Sequence, residues 1–361
     1  MEVNRKHIWM WLKNIFPYTD AEIYKLLECF GDIEEIYYAD VFDEFNFKPN
    51  IKRKLSDKSL IKVYQTLNWC SALKVSIISI EDDEYPEPLR HIFEPPPLLY
   101  VRGDVSCLKH EVIISGVGTR NCNKYGESAA YNISKELAES GVLLVSGMAR
   151  GIDSAVNTGA LDGGGKTIAV LGTSIDKIYP PENARLYKRI IENGAVVSEH
   201  PPGYGWSKID FPRRNRIIAG LARGVFVCQA PVRSGSLITA RMALDMGRDL
   251  FCVVGNIEPI NEGGNALLSE GAAKLVVTSD DILCEYFSYD KRPSPEAKRQ
   301  EKSKNISSVQ QRILSELGYN KLSEDELCER LDISYKDLAR ELTTLEILDI
   351  IGIENGSIFL K

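Results

Sequence analysis

Seven short apolar runs between residues 111 and 279 constrain the fold of this chain more than any other feature. They are rich in Val, Ile and Leu, and most of them are separated by segments with helical periodicity. Such runs are typical of strands that are buried on both faces of a parallel sheet covered by helices. The sequence therefore predicts a doubly wound, extended Rossmann-like α/β domain over residues 111–288. The runs are EVIISGVG, VLLVSGM, KTIAVLGT, AVVSEH, GVFVCQA, DLFCVVG and AKLVVTS.

Two segments precede this domain, one helical and one rich in proline. Residues 1–75 contain AEIYKLLECFG, in which apolar residues recur at i, i+3, i+4 and i+7 before a glycine stop, so we expect a small helical N-terminal domain. Residues 76–110 are predicted to form a proline-rich connector that leads into the core, with KVSIISI as a strand candidate. DNA binding by residues 1–110 is disfavoured, because they carry 14 basic and 18 acidic residues.

The C-terminal part is predicted to be a linker followed by a winged helix. Residues 289–305 are highly charged and lack periodicity, which is typical of a linker. Residues 306–361 contain three amphipathic helical segments and then an apolar–polar alternation around Asn355-Gly356, a hairpin signal. Winged helices commonly bind DNA. Here six basic residues against eleven acidic ones favour a protein-contact or regulatory role.

The stretch FPRRNRIIAG, residues 211–220, places three arginines in the first turn of a short predicted helix with Asp210 as its N-cap. The helix macrodipole is positive at this end, so each arginine without a negative partner would reduce the stability of the helix by about 0.3–1 kcal/mol. A bound anion would reverse that cost. The composition of residues 201–250 favours a bound anion, since this segment contains eight Lys or Arg residues, three Asp and no Glu. The alternative is that the arginines pair with carboxylates inside the protein.

Small residues, hydroxyls and arginines follow the predicted strands, at the edge where open α/β sheets bind ligands. These residue types suit phosphate, because glycine exposes backbone N–H groups and arginine supplies charge. Aromatic residues stand beside the arginines, and rings interleaved with cations suit unpaired bases. The sequence therefore predicts a site for single-stranded nucleic acid. Its candidate residues are Gly118, Thr119, Arg120, Ser146, Gly147, Arg150, Gly151, Lys208, Phe211, Arg213, Arg214, Asn215, Arg216, Ser234, Gly235 and Ser236.

Candidate catalytic residues are few. The sequence contains no P-loop, nucleophile elbow or zinc-ligand spacing. His200 lies near a strand end, where a structural role is favoured, and Asp153 is interpreted as a helix cap or as a residue that orients an arginine. We therefore expect binding without catalysis, with no metal and no cofactor. The alternative is a Rossmann-type enzyme that processes nucleoside monophosphates, although RSGSLITA stands where such enzymes carry a P-G-G-x-G-T loop with a nearby glutamate.

Charge and composition narrow the class of protein further. A formal net charge of −7 argues against a protein that coats nucleic acid over its whole surface. The eight cysteines contain no CxxC pair, and several lie in apolar runs, so reduced thiols are expected. Neither a signal peptide nor an apolar run of about 18 residues is present, and we expect a soluble, cytoplasmic protein without a membrane partner.

Many segments of the chain, taken in order, resemble the DNA-processing protein A (DprA/Smf) family. The resemblance runs from PPPLLYVRGD to Asp281 and covers about half of the chain. The family combines a small helical, SAM-like N-terminal domain, an extended Rossmann core and a C-terminal winged helix. Its first glycine-rich loop usually reads G-S-R, where this chain has G-T-R. The resembling segments include SGMARGIDSAVNTGAL, GGKTIAVLGT, YPPEN, SEHPPG, FPRRNRIIAGL, RSGSLITARMALDMGRDLFCVVG and LLSEGA.

The resemblance implies a protein that binds and protects single-stranded DNA entering the cell during natural transformation. It would also help to load the RecA recombinase and displace single-strand-binding protein. By motif, Arg120 with Gly118 and Thr119 would hold phosphate, and Lys208 would provide a second phosphate contact. Phe211 would be a base-stacking platform.

Two further assignments follow from the same resemblance. Arg214 and Arg216 would extend the basic pocket. Family members form homodimers through the far end of the core, and by position we expect Leu267, Leu268 and Leu275 to contribute to that interface. The alternative for these leucines is an ordinary place in the core.

Overall fold

The computed structural model of the protein shows that all seven predicted strands form and that they belong to one nine-stranded sheet. The structure describes residues 3–40, 42, 45–287, 307–317, 322–347, 350–354 and 356–360. The strands of the sheet are β1 (Val75–Ser79), β2 (Leu98–Gly103), β3 (Ile113–Gly118), β4 (Leu143–Ser146), β5 (Thr167–Leu171), β6 (Gly194–Ser198), β7 (Gly224–Cys228), β8 (Asp249–Val253) and β9 (Lys274–Val276). Their spatial order is β1-β2-β6-β5-β4-β3-β7-β8-β9.

The strands from β3 to β9 pair with one another in parallel, which confirms the doubly wound α/β class. The chain runs outwards from β3 through β4 and β5 to β6, and then crosses back to β7 on the other side of β3. The strand order therefore reverses between β3 and β7. The loops that follow these two strands diverge, and such a point is where doubly wound sheets bind ligands.

Residues 76–110 contribute to the sheet, which corrects their prediction as a connector. The strand candidate KVSIISI forms β1, β1 pairs antiparallel with β2, and β2 pairs antiparallel with β6. The run from Leu98 to Val101 is at most 2% exposed. It therefore has the same physical reason to form a strand as the parallel runs, since its apolar side chains leave water on both faces of the sheet.

Helices cover the sheet, and in the described part of the chain none of them is long and apolar enough to cross a membrane. The helices of this unit are α1 (Arg5–Ile15), α2 (Ala21–Phe30), α3 (Ile33–Tyr38), α4 (Pro49–Ser56), α5 (Ile61–Ala72), α6 (Glu87–Arg90), α7 (Lys124–Glu139), α8 (Ile152–Asp162), α9 (Ala184–Asn193), α10 (Asp210–Leu221), α11 (Gly235–Asp245), α12 (Glu262–Ser269) and α13 (Asp280–Tyr286). Asp210, predicted as an N-cap, is the first residue of α10, and its carboxylate accepts a hydrogen bond from the Ser207 N–H at 2.6 Å.

The N-terminal helices pack against the sheet. Ile8 and Leu12 of α1 belong to the same buried apolar cluster as Leu98, Leu171 and Val196 of the strands. Residues 1–290 accordingly form one compact unit. The helical region predicted over residues 1–75 therefore shares a hydrophobic core with the sheet, and this contact brings it close to the carboxyl edge.

A second compact unit comprises residues 291–361. Its described elements confirm a winged helix, with a three-stranded antiparallel sheet in the order β10-β12-β11. Ile313, Leu327, Leu342 and Ile358 lie in its core. The predicted linker, residues 289–305, lies outside the described residues. The elements are α14 (Ser308–Leu317), β10 (Leu322–Ser323), α15 (Glu324–Leu331), α16 (Tyr335–Ile347), β11 (Ile351–Glu354) and β12 (Ser357–Leu360).

Candidate nucleic-acid interface

A cleft of about 400 Å³ opens at the carboxyl edge of the sheet, between the loops that follow β3 and β7. The first turn of α10 forms its third side. This main cleft lies where the strand order reverses, so its position follows from the topology of the sheet. The predicted residues that line it are Gly118, Thr119, Arg120, Phe211, Arg214, Asn215, Ser234, Gly235 and Ser236.

A smaller cavity of about 80 Å³, the side pocket, adjoins the main cleft. Three arginines line it, namely Arg120, Arg150 and Arg214. Arg120, Arg214 and Phe211 line the main cleft as well, so Phe211 lies at the boundary of the two cavities. A small cavity lined by three arginine residues suits a phosphate group, because guanidinium donors match phosphate oxygens in charge and geometry.

Arg214 is buried beneath both cavities and holds the loops around them together. Its Nη1 donates to the carbonyl oxygens of Gly147, at 2.9 Å, and of Val170. Glycine at position 147 leaves room for this guanidinium group, since an added Cβ would lie 2.4 Å from the same nitrogen and the Arg214 side chain would have to shift. Burial lowers the pKa of Arg214 to about 10 and raises the pKa of Asp153, which carries the compensating charge. Arg214 therefore remains a cation at neutral pH, and the carboxylate of Asp153 balances its charge beneath the site.

Arg120 is exposed at the mouth of the main cleft. Its Cζ lies 5.7 Å from the centroid of the Phe211 ring. The loop that carries it is fixed by the Thr119 N–H, which donates to the Gln229 carbonyl at 2.8 Å. Within the described parts of the chain, no carboxylate forms a salt bridge with Arg120. Its guanidinium group is therefore available to an anion from outside the protein.

Two further rings extend Phe211 into an aromatic wall, which we define as Tyr179, Trp206 and Phe211. The three ring centroids lie 5.3–5.5 Å from one another. The ammonium group of Lys177 lies 5.9 Å from the Trp206 ring. Tyr179 and Lys177 were not among the predicted site residues. The available signal was the aromatic residue of YPPEN in the loop that follows β5.

Arg213 and Arg216 do not line either cavity, and this corrects their prediction as anion-binding residues. Both pair with two buried carboxylates, and so does Lys13 of α1. Arg213 lies 2.6 Å from Asp20, and Arg216 lies 2.8 Å from Glu199. We define the ion cluster as these five residues, all at most 15% exposed. Carboxylates inside the protein therefore form salt bridges with two of the three arginines. Pairing with internal carboxylates was the alternative to anion binding that the sequence left open.

The two carboxylates of the ion cluster have different proton affinities. Burial opposes ionisation of Glu199, but Arg216, Lys13 and Arg213 outweigh it and hold its pKa well below the usual value. Burial raises the pKa of Asp20 to about 6, because attraction from Lys13 and the arginines only partly offsets it. Three cations thus face two carboxylates, and Asp20 connects the N-terminal region to α10.

Four other predicted residues have different surroundings. Ser146 is fully buried and its hydroxyl donates to the Gly116 carbonyl at 2.7 Å, so it is structural and not a ligand contact. Arg150 lines the side pocket and pairs with Glu182 at the surface. Gly151 precedes α8 with a φ of 73°, a conformation that glycine adopts without strain. Lys208 is exposed in the loop before α10 and lines neither cavity.

His200 is buried, as expected of a structural histidine. Its ring stacks on Tyr204 with centroids 4.0 Å apart. Burial lowers the pKa of His200 to about 4, so it is neutral at physiological pH. Among the described residues, no group of three or more His, Cys, Asp or Glu side chains is placed to hold a metal ion.

The three leucines predicted at a dimer interface have two kinds of surroundings. Leu267 and Leu268 of α12 are partly buried against the core of the sheet. Leu275 lies on β9, the last strand of the sheet, and is 47% exposed. Of the three, Leu275 therefore offers most of its side chain to a partner.

Comparison with known protein families gives two matches. The family model described as DNA recombination-mediator protein A matches residues 76–287. The model described as the DprA winged helix domain matches residues 292–352. The first match begins within β1, in agreement with the observation that residues 76–110 contribute strands to the sheet.

Individual proteins with similar sequences and structures belong to the same family as these two models. The DNA processing protein DprA of Streptococcus pneumoniae is 39% identical over 275 residues, which cover 74% of this chain and 94% of that protein. Its X-ray structure matches 80% of this chain and 100% of its own, with a TM-score of 0.64. DNA processing protein A of Helicobacter pylori, whose structure was reported for its single-stranded DNA binding mode, is 29% identical with a TM-score of 0.55, covering 60% of this chain and 99% of its own.

Proposed function

The chain belongs to the DNA recombination-mediator protein A (DprA/Smf) family, and from this premise we propose that its main cleft and side pocket bind single-stranded DNA. The observation that carries the proposal is the position of Phe211. Its ring lies at the boundary of two cavities, beside the exposed guanidinium group of Arg120. A ring in that place can stack on a base while the arginine holds a neighbouring phosphate.

The charge distribution supports a single strand over a duplex. Because Arg213 and Arg216 pair with carboxylates of the ion cluster, few exposed cations remain near the site, among them Arg120, Arg233 and Lys208. Duplex binding needs a longer basic surface, since its affinity comes largely from many phosphate contacts. The formal net charge of −7 disfavours such a surface elsewhere.

Binding without turnover fits the chemistry of the cleft. Asp153 is the carboxylate that lines the main cleft, and it accepts a hydrogen bond from the Ala149 N–H at 3.3 Å while facing the buried charge of Arg214. The Asp153 carboxylate thus stabilises the loop at Ala149 and the charge of Arg214, which is the role of a residue that orients an arginine. A general base would instead need a free oxygen within reach of substrate.

Fluorescence anisotropy with a labelled oligothymidine tests this function. A strand of about sixteen nucleotides should bind, and a duplex of equal length should bind at least about tenfold more weakly. Each phosphate contact with a single strand contributes about 0.7 to the slope of log K against log salt, so two or three contacts predict a slope of about −1.4 to −2.1. Equal affinity for strand and duplex would contradict the proposal.

We further propose that the protein acts on DNA taken up in transformation and helps to load the RecA recombinase onto it. The family membership and the relative from Helicobacter pylori with a single-stranded DNA binding mode support this role. The expected partners are single-stranded DNA, RecA, single-strand-binding protein and a second copy of this chain. The exposed side chain of Leu275 on the edge strand β9 supports a homodimer through that end of the sheet.

A loading assay tests the recombinase role separately. On strands coated with single-strand-binding protein, the protein should shorten the lag before RecA begins to hydrolyse ATP, because it opens a site for RecA nucleation. The Arg120→Glu variant serves as the matched control and should leave the lag unchanged. If the unaltered protein binds DNA but does not shorten the lag, the loading role is wrong and the DNA site stands.

A further inference from the structure

The aromatic wall presents more ring surface than Phe211 needs for support. Its residues come from three separate segments: Tyr179 from the loop after β5, Trp206 from the loop after β6 and Phe211 from α10. Tyr179 is 37% exposed, and Trp206 and Phe211 are half-buried. Aromatic residues that serve only packing are enclosed, as Tyr85 is at 1% exposure. Ring area left at the surface is therefore available to a ligand with flat apolar faces.

Cations stand at both ends of the wall. Arg120 lies over Phe211, and Lys177 lies near Trp206. Lys177 is exposed, and no carboxylate in the described ranges forms a salt bridge with it. Rings flanked by free cations match a strand in which bases and phosphates alternate. The wall also continues directly from the main cleft and the side pocket through Phe211, so a strand that leaves the cleft can pass along it.

The loop that carries Trp206 is held in place from two sides. The Gly203 N–H donates to Asp176 at 3.1 Å, and Trp69 of α5 packs on Gly203, where an added Cβ would lie 2.5 Å from the ring. Tyr204 of the same loop stacks on His200. These contacts fix the loop before any ligand arrives, which lowers the entropy that binding must overcome.

We propose that Tyr179 and Trp206, with Lys177, form a second base-stacking subsite for single-stranded nucleic acid next to the one at Phe211. This inference rests on the proposed function. A base that follows the one at Phe211 stacks on the exposed faces of Trp206 and Tyr179, and its phosphate lies near the Lys177 ammonium group. The subsite takes any base, because stacking uses the π face that all bases share.

Affinities for oligonucleotides of two lengths distinguish a second stacking subsite from a role of Trp206 that is limited to supporting the Phe211 ring. Trp206→Ala should weaken binding of an oligothymidine of about sixteen nucleotides by about tenfold, as expected for one lost stacked base. It should leave a strand of about four nucleotides, which fills the cleft alone, within about twofold of the original affinity. Equal losses with both strands would show that Trp206 only positions Phe211 and would overturn the proposal. So would no loss with either strand.

Three companion variants complete the experiment. Trp206→Phe should restore affinity for the longer strand, and the quenching of tryptophan fluorescence by DNA should fall because the ring that stacks is no longer tryptophan. Lys177→Gln should reduce the salt slope by about 0.7, whereas Lys109→Gln, at the opposite edge of the sheet, should not change it. Tyr38→Ala removes an exposed ring outside the wall and should bind normally. If Arg120→Glu also leaves binding unchanged, the proposed function fails and not the subsite alone.

Discussion

Reversing two charges, with Arg120→Glu and Lys208→Glu together, should weaken binding of oligothymidine at least about a hundredfold, which corresponds to about 2.7 kcal/mol. Both side chains are exposed, and Arg120 lies beside the Phe211 ring at the mouth of the main cleft. The substituted carboxylates would repel the phosphates that the cations attract. Anisotropy titrations at two salt concentrations measure the loss, and the salt slope should fall by at least about 1.4.

A charge-matched control distinguishes this local effect from a change in net charge. Lys109→Glu with Lys188→Glu alters the formal charge by the same amount, and neither lysine lines the main cleft or the side pocket. That variant should bind within about threefold of the original protein, because neither side chain lines a cavity of the proposed site and salt screens exposed charges that do not contact the strand. If both double variants lose affinity equally, the assignment of Arg120 and Lys208 as phosphate contacts is wrong.

The parts of the fold that could be predicted from the sequence are those encoded by local pattern. Runs such as VLLVSGM and GVFVCQA are apolar throughout, so their burial in a parallel sheet follows from composition alone. The position of the site followed in turn, because strand ends in a doubly wound sheet meet at one edge. Thr119, Arg120, Ser234 and Ser236 were found in this way, and the structure brings them together in the main cleft.

The parts that could not be predicted depend on contacts between distant residues. Nothing near Arg213 or Arg216 in sequence indicates their partner Asp20, which lies in the N-terminal helical region. Their position at the helix N-terminus predicts an external anion, because three cations there are unfavourable without a negative partner. A count of charges in the neighbouring sequence does not reveal a carboxylate that folding brings close from a distant segment. Tyr179 was missed for the same reason. Its role depends on contact with Trp206, from the loop after β6, and with Phe211, from α10.

Removing one carboxylate from the ion cluster should destabilise the protein more than any change at the DNA site. Glu199→Gln keeps the shape of the side chain but leaves Lys13, Arg213 and Arg216 facing a single carboxylate, Asp20. Uncompensated charge that remains buried costs about 3–5 kcal/mol. The free energy of unfolding from urea titration measures the change. The matched control is Glu182→Gln, which breaks the exposed pair with Arg150 and should leave the urea midpoint unchanged, because water and salt already screen that pair.

A second substitution tests whether the cluster acts as one unit. Lys13→Met added to Glu199→Gln removes one cation with one carboxylate and leaves two arginines against Asp20, so the excess of positive charge falls back to one. The double variant should therefore be more stable than the sum of the single effects by about 1–3 kcal/mol. Additive losses, within about 0.5 kcal/mol, would show that Glu199 and Lys13 do not interact energetically. Because α10 carries both Arg216 and Phe211, a coupled cluster would mean that the N-terminal helices help to hold the stacking ring at the cleft.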